Sequence, residues 1–140
     1  MKRLQDEFNV GGLALAWIES YLSNRFQFVK LGRHSSTTTK CDSGVPQGSV
    51  LGPLLFVIYV SPVGDVIDGL GMRHHQYADD TQLYIAVGSK ITSNSMSLIE
   101  NCTSAVQEWF LLNDLQLNPD KSEVLLLGSA AQRRVYTGES

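Results

Sequence analysis

Apolar and polar positions recur along this chain with periods that change from segment to segment, and the changes mark its elements. Lys2 to Phe8 predicts one or two helical turns, too short to be stable alone, with the look of a helix tail whose beginning lies upstream. Gly11-Gly12 interrupts it. Ala14, Trp17, Ile18, Tyr21 and Leu22 then fall at the i, i+3, i+4 spacing of a buried stripe. That spacing predicts a helix from Leu13 to about Ser23, with Trp17 in the core. Arg25 to Leu31 predicts a strand, partnered by Thr37 to Cys41 across a turn at Gly32 to Ser36. Gly44 to Ser49 is a loop by its glycines and proline, and Pro53 suits the first position of a following helix, where a missing N–H costs nothing. Leu54 to Val60 is apolar on every side, which predicts burial all round. Periodicity does not separate helix from strand in so short a run. Pro62 ends it in either case, and Gly64 to Gly71 predicts a short helical turn and a loop.

Two short segments follow that read as strands of a hairpin, Met72 to Tyr77 and Thr81 to Val87, the second rich in β-branched and aromatic residues. Between them lie Ala78, Asp79 and Asp80. A tight hairpin turn normally offers Asn-Gly or Asp-Gly, because those residues accept positive φ. Here there is no glycine and like charges are adjacent, a broken local rule of the kind that marks functional sites; a solvated acidic turn is the plainer alternative. After a polar stretch from Gly88 to Ser95, Ser97 to Asn113 predicts a helix. Leu98, Cys102, Ala105, Val106, Trp109, Phe110 and Leu112 share one face of it. Asn118 to Lys121 predicts a turn, and Glu123 to Leu127 a buried strand closed by Gly128. Ala130 to Ser140 has no apolar period and reads as a loose tail. Helices mixed with antiparallel strands in this order imply an α+β fold, an antiparallel sheet with helices packed on one face. One domain over residues 1–128 and a disordered tail over 129–140 are expected.

Composition changes this picture little. With 43% hydrophobic and 18% charged residues the chain is an ordinary globular one. A net charge of −3 argues mildly against a nucleic-acid binder, which needs a basic surface. Local distribution can override the sum: Arg25, Lys30, Arg33, His34 and Lys40 form a basic stretch with no acid before Asp42, although a solvated strand pair would look the same. Cys41 and Cys102 are too few for a disulfide framework or a zinc site and suit a reducing compartment. No apolar signal region follows the charged N-terminus, and Leu54 to Val60 is far short of a membrane span. An intracellular protein with no membrane partner, in cytoplasm or nucleus, is the expectation.

Three stretches carry chemistry. Gly44-Val45-Pro46-Gln47-Gly48-Ser49-Val50-Leu51-Gly52-Pro53-Leu54-Leu55-Phe56 comes first, then Tyr77-Ala78-Asp79-Asp80-Thr81, then Leu115-Gln116-Leu117-Asn118-Pro119-Asp120-Lys121-Ser122-Glu123. Each alone is a weak or moderate signal; all three in order are specific. Together they resemble the palm of a reverse transcriptase of the kind carried by non-LTR retrotransposons, over about Leu4 to Gly128. The resemblance implies a partial polymerase palm performing nucleotidyl transfer from deoxynucleoside triphosphates onto a DNA primer paired with an RNA template. It implies Asp79 chiefly and Asp80 secondarily as ligands of catalytic Mg²⁺, in keeping with the preference of that ion for oxygen donors. Pro46, Gln47, Gly48 and Ser49 would face template base and incoming nucleotide; glycine permits close backbone approach, and the Gln47 amide offers donor and acceptor together. Lys121 would lie near the leaving phosphates, and Tyr77 would pack beneath the site next to the primer end. His74 and His75 match no role and read as strand residues.

The chain also departs from the family pattern. A further metal-binding aspartate belongs to a strand expected upstream of Met1, and Asp6 does not replace it, because Lys2 to Phe8 matches the helix after that strand. Fingers, thumb and the residue that selects deoxyribose are expected outside the chain as well. The implied protein is therefore a palm fragment, inactive alone. A non-catalytic remnant that binds nucleic acid or a protein partner is the alternative.

Overall fold

The computed structural model describes residues 1–87 and 92–129. They form helices and short antiparallel ribbons, an α+β composition, in two compact units, Met1–Val60 and a second beginning at Ser61. The expected single sheet is replaced by three separate two-stranded ribbons.

The first unit opens with α1 (Lys2–Asp6) and α2 (Gly12–Leu22). Helix α1 ends where Asn9 takes a φ of +51° and the Val10 N–H reaches back 2.8 Å to the Leu4 carbonyl, satisfying an orphan carbonyl of the last turn. Strand β1 (Arg25–Gln27) pairs with β4 (Thr39–Cys41), and β2 (Lys30–Leu31) with β3 (His34–Ser35), so the turn is Gly32-Arg33 rather than the whole of Gly32 to Ser36. Between the two ladders the Ser36 hydroxyl accepts from the Val29 N–H at 2.9 Å, replacing a missing ladder bond. Helix α3 (Gly52–Val60) closes the unit and meets α1, where the Arg3 guanidinium lies 5.8 Å from the centre of the Tyr59 ring.

Burial in this unit is thinner than the apolar pattern implies. No residue of α2 is buried, and Trp17 is 58% exposed, stacked on Tyr21 at 6.0 Å rather than sunk in a core. Helix α3 buries only Gly52, Leu55 and Val60; Leu54, Val57 and Tyr59 stand exposed, so this helix is not buried all round. The period of a helix decides which face is apolar, but burial needs a second element laid on that face.

The second unit has a true core. Pro62 ends α3 and opens α4 (Pro62–Gly69). The stretch Gly52–Gly69 is 18 residues with mean hydropathy 1.3, enough by length and composition to cross a membrane. The break between α3 and α4 and the exposed Asp65 and Asp68 make it two ordinary helices. Val63 and Ile67 of α4 are fully buried with Met72 against Cys102, Val106 and Phe110 of α5 (Ser93–Leu112), and Leu83, Ile85 and Trp109 pack around them. Helix α5 starts four residues earlier than its apolar period, because Thr92 and Ser95 form a reciprocal cap: the Ser95 N–H donates to Thr92 Oγ1 at 3.2 Å and the Thr92 N–H to Ser95 Oγ at 3.0 Å. Leu112 lies beyond the packed face, 77% exposed. Strand β5 (Arg73–Tyr77) pairs with β6 (Asp80–Tyr84) in the register Tyr77↔Asp80 to Arg73↔Tyr84. A 3-10 turn at Pro119–Lys121 follows α5. Glu123 to Leu127 forms no strand, and Val124, Leu125 and Leu127 are 78–94% exposed, because no element among the described residues pairs with them. The expected loop overlaps residues 88–91 and the expected tail residues 130–140, which lie outside the described residues.

Removing one methylene from the second core is expected to show its weight. Ile67→Val should cost about 0.5–1.5 kcal/mol in urea unfolding, and Leu112→Ala should stay within about 0.5 kcal/mol as an exposed site. The two thiols should separate likewise. Burial raises the pKa of the Cys102 thiol, whereas Cys41 is half-exposed on β4. Cys41 should react rapidly with a disulfide reagent and Cys102 only on unfolding. Because burial disfavours the Cys102 thiolate in the folded state, stability is full below the ordinary thiol range and falls as pH rises from that range to the raised folded-state value.

Candidate active site

The register Tyr77↔Asp80 leaves a two-residue turn, Ala78-Asp79. Ala78 takes a φ of +53°, the left-handed region that costs an L-residue with a Cβ roughly 1–2 kcal/mol. Strand alternation sorts the hairpin side chains into two faces. His74, Gln76, Thr81 and Leu83 point inward and are half-buried; Arg73, His75, Tyr77, Asp80, Gln82 and Tyr84 line an open face. Asp80 thus starts β6 on the open face opposite Tyr77, with Asp79 beside it in the turn and exposed.

Neither carboxylate has a side-chain hydrogen bond or ion pair among the described residues, so both oxygens pairs are available to a ligand. Two hard oxygen donors side by side, with solvent in front, suit Mg²⁺, which keeps several waters and is commonly held by one or two carboxylates together with substrate phosphates. They do not make a closed site: no group of three His, Cys, Asp or Glu able to hold a metal occurs among the described residues. Tyr77 is 75% exposed on the open face, not packed beneath the turn.

The Pro46 to Ser49 loop is built as a turn. The Ser49 N–H donates to the Pro46 carbonyl at 3.2 Å, and Gly48 at the third position has a φ of +78°, which a type II turn requires. The Ser49 hydroxyl is committed to the next helix, accepting from the Gly52 N–H at 3.1 Å. Pro46, Gln47 and Gly48 remain exposed. Lys121 closes the 3-10 turn, whose start is capped by Asn118 Oδ1 accepting from the Asp120 N–H at 3.1 Å; no ion pair joins it to Asp79 or Asp80. The structure brings Tyr77, Asp79 and Asp80 together on one hairpin, and Pro46 to Ser49 together on one loop in the other unit.

The basic ribbon is partly self-satisfied. Arg25 donates to the Leu22 and Ser43 carbonyls at 3.0 and 3.1 Å, and Lys40 pairs with Asp42 at 2.6 Å. One feature was hidden in one dimension: His74 Nδ1 donates to Asp68 of α4 at 3.1 Å, with Gly64 of the same helix against the adjoining Cε1 and Nε2 of the ring. A glycine inside a helix is the one sequence signal that could have marked a close approach there.

The family model described as "Reverse transcriptase (RNA-dependent DNA polymerase)" matches residues 3–138. Over 110 residues the chain is 31% identical to the Drosophila melanogaster "RNA-directed DNA polymerase from mobile element jockey". That match covers 74% of this chain and 12% of the relative, so the chain spans about an eighth of that protein's length. No solved structure matches it. A match that runs nearly from end to end shows the family: the chain belongs to the reverse transcriptases, the RNA-dependent DNA polymerases, of the non-LTR retrotransposon type.

Proposed function

We propose that residues 1–128 are part of the palm of an RNA-directed DNA polymerase and supply the Asp79–Asp80 end of its metal site. The observation that carries this reading is the pair of exposed, unpaired carboxylates at the tip of a strained hairpin. Mg²⁺ bound there would activate the primer 3′-hydroxyl and steady the leaving pyrophosphate oxygens of an in-line transfer. Asp79, free in the turn, would be the chief ligand; Asp80, anchored as the first residue of β6, would be the secondary one. Tyr77, across the ribbon from Asp80, offers a flat apolar surface to the primer end on the same open face. Gln47 would reach template base or incoming nucleotide from the exposed turn, with Pro46 and Gly48 shaping the backbone. The part left to Ser49 is structural as well, since its hydroxyl holds the start of α3. Lys121, exposed and without an ion pair to either aspartate, would neutralise charge on the leaving phosphates. RNA template, DNA primer and deoxynucleoside triphosphates are the partners, met inside the cell.

Alone, the chain should be inactive, because two carboxylates hold the cations poorly and the third aspartate, fingers and thumb come from elsewhere in the polymerase. The alternative is a non-catalytic remnant that binds nucleic acid or a protein partner.

Primer extension on an RNA template separates the readings when measured in a polymerase carrying this segment within a complete palm and thumb. Asp79→Asn should abolish extension with the fold intact, and raise metal-free stability slightly by removing one of two repelling charges. Asp80→Asn should lose less. Full activity in Asp79→Asn would end the metal-ligand reading.

In the same polymerase Gln47→Ala should lower kcat/KM about tenfold or more, the equivalent of roughly 1–3 kcal/mol for an unmade hydrogen bond. An unchanged kcat/KM would remove Gln47 from the site.

A further inference from the structure

The inner face of the hairpin rests on α4 through an uncommonly close contact. A Cβ added to Gly64 would lie 3.0 Å from His74 Nε2, 3.3 Å from its Cε1 and 3.7 Å from Gln76 Oε1. Gly64 is buried, and the imidazole edge fills the space its missing side chain leaves. The neighbouring ring nitrogen, Nδ1, donates to Asp68 at 3.1 Å, one turn further along α4. The ring is therefore held at two points by one helix.

Magnitudes decide what this contact is for. The Asp68 side chain is 68% exposed and that of His74 21%, so the pair adds little to stability. A glycine within a helix is a cost, not a gain, in propensity. Neither feature is explained as a source of fold stability. Both are explained if the distance from β5 to α4 matters. Gln76, which also faces Gly64, pairs with Thr81, and the next pair toward the tip is Tyr77 with Asp80. Whatever sets the height of His74 and Gln76 above α4 sets the height of the aspartate turn, and reacting groups tolerate only small displacements.

We propose that Gly64, Asp68 and His74 are positioning residues, a seat on α4 that fixes where the β5–β6 hairpin presents Asp79 and Asp80. The link to chemistry rests on the metal-ligand reading above; the seat itself does not.

The test uses the full chain, with amide NMR spectra and Mn²⁺ as a paramagnetic stand-in for Mg²⁺. In the wild type, Mn²⁺ should broaden amides of Ala78 to Thr81, and Asp79→Asn should remove that effect. Gly64→Ala should shift the amides of Tyr77 to Thr81 and weaken Mn²⁺ binding about three- to tenfold, less than the 10–100-fold typical of losing a direct partner of a metal ligand. Asp68→Asn, exposed and harmless to folding, should shift the same amides with little change in Tm. In a His74→Ala background the extra methyl has room. There Gly64→Ala should leave the tip amides where His74→Ala put them and raise Tm by helix propensity, the non-additive cycle expected of two residues in contact; a merely structural contact would leave the tip amides unmoved in the single variants. Tip amides unmoved in both Gly64→Ala and Asp68→Asn, even with a lower Tm, would overturn the seat. If Mn²⁺ broadens the same amides equally in wild type and Asp79→Asn, the metal reading fails instead, and the tip amides alone decide the seat.

Discussion

Two carboxylates on consecutive residues repel one another, and a two-stranded ribbon of five residues a strand is marginal in water even without them. The hairpin of this reverse transcriptase segment exists because something outside it holds it down. Leu83 and Ile85 join the core that α4 and α5 build from Val63, Ile67, Cys102, Val106 and Phe110. His74 and Gln76 settle over Gly64. The charged tip is left to solvent, where repulsion is screened and a cation can reach both side chains. The strained Ala78 belongs to the same arrangement: a turn that costs energy persists where the surrounding packing determines it.

The loop around Gln47 is organised by different means. Among the described residues it is held by local hydrogen bonds, with Pro46 and Ser49 closing a turn and Ser49 starting α3. Such a loop presents its middle residues, Gln47 and Gly48, and uses its flanks as scaffold. Four residues that look alike as a motif thus divide into presented and supporting ones.

Much of this was legible in the residues. The apolar period of α5, the hairpin around Tyr77 to Asp80, the Pro62 break and the turn at Asn118 to Lys121 each rest on local chemistry, and the structure places them accordingly. The first turn of α5 was missed because Ser93, Asn94 and Ser95 have no apolar period, although the Thr92–Ser95 cap makes them helical. Burial was overread at Trp17, at Leu54 to Val60 and at Glu123 to Leu127: only Leu55 and Val60 of the second run are buried, and the rest of these apolar positions are uncovered or only partly covered among the described residues. The Asp68–His74 pair joins residues six apart on different elements, beyond the reach of either helical or strand spacing. The candidate site divides in the same way: the Asp79–Asp80 turn shows in the sequence as a broken local rule, whereas the contact of His74 with Gly64 shows only in the fold.

The uncovered run after the 3-10 turn has a consequence for handling the molecule. Val124, Leu125, Leu126 and Leu127 form an uncharged, proline-free stretch without a ladder partner among the described residues, Val124, Leu125 and Leu127 largely in solvent. Segments of that composition are templates for cross-β association. Glu123 at one end is the only charge directly beside it, with Lys121 and Asp120 two and three residues before Glu123. Solubility of this segment therefore depends on what covers Val124, Leu125 and Leu127, and not on the aspartates by which the family is recognisable.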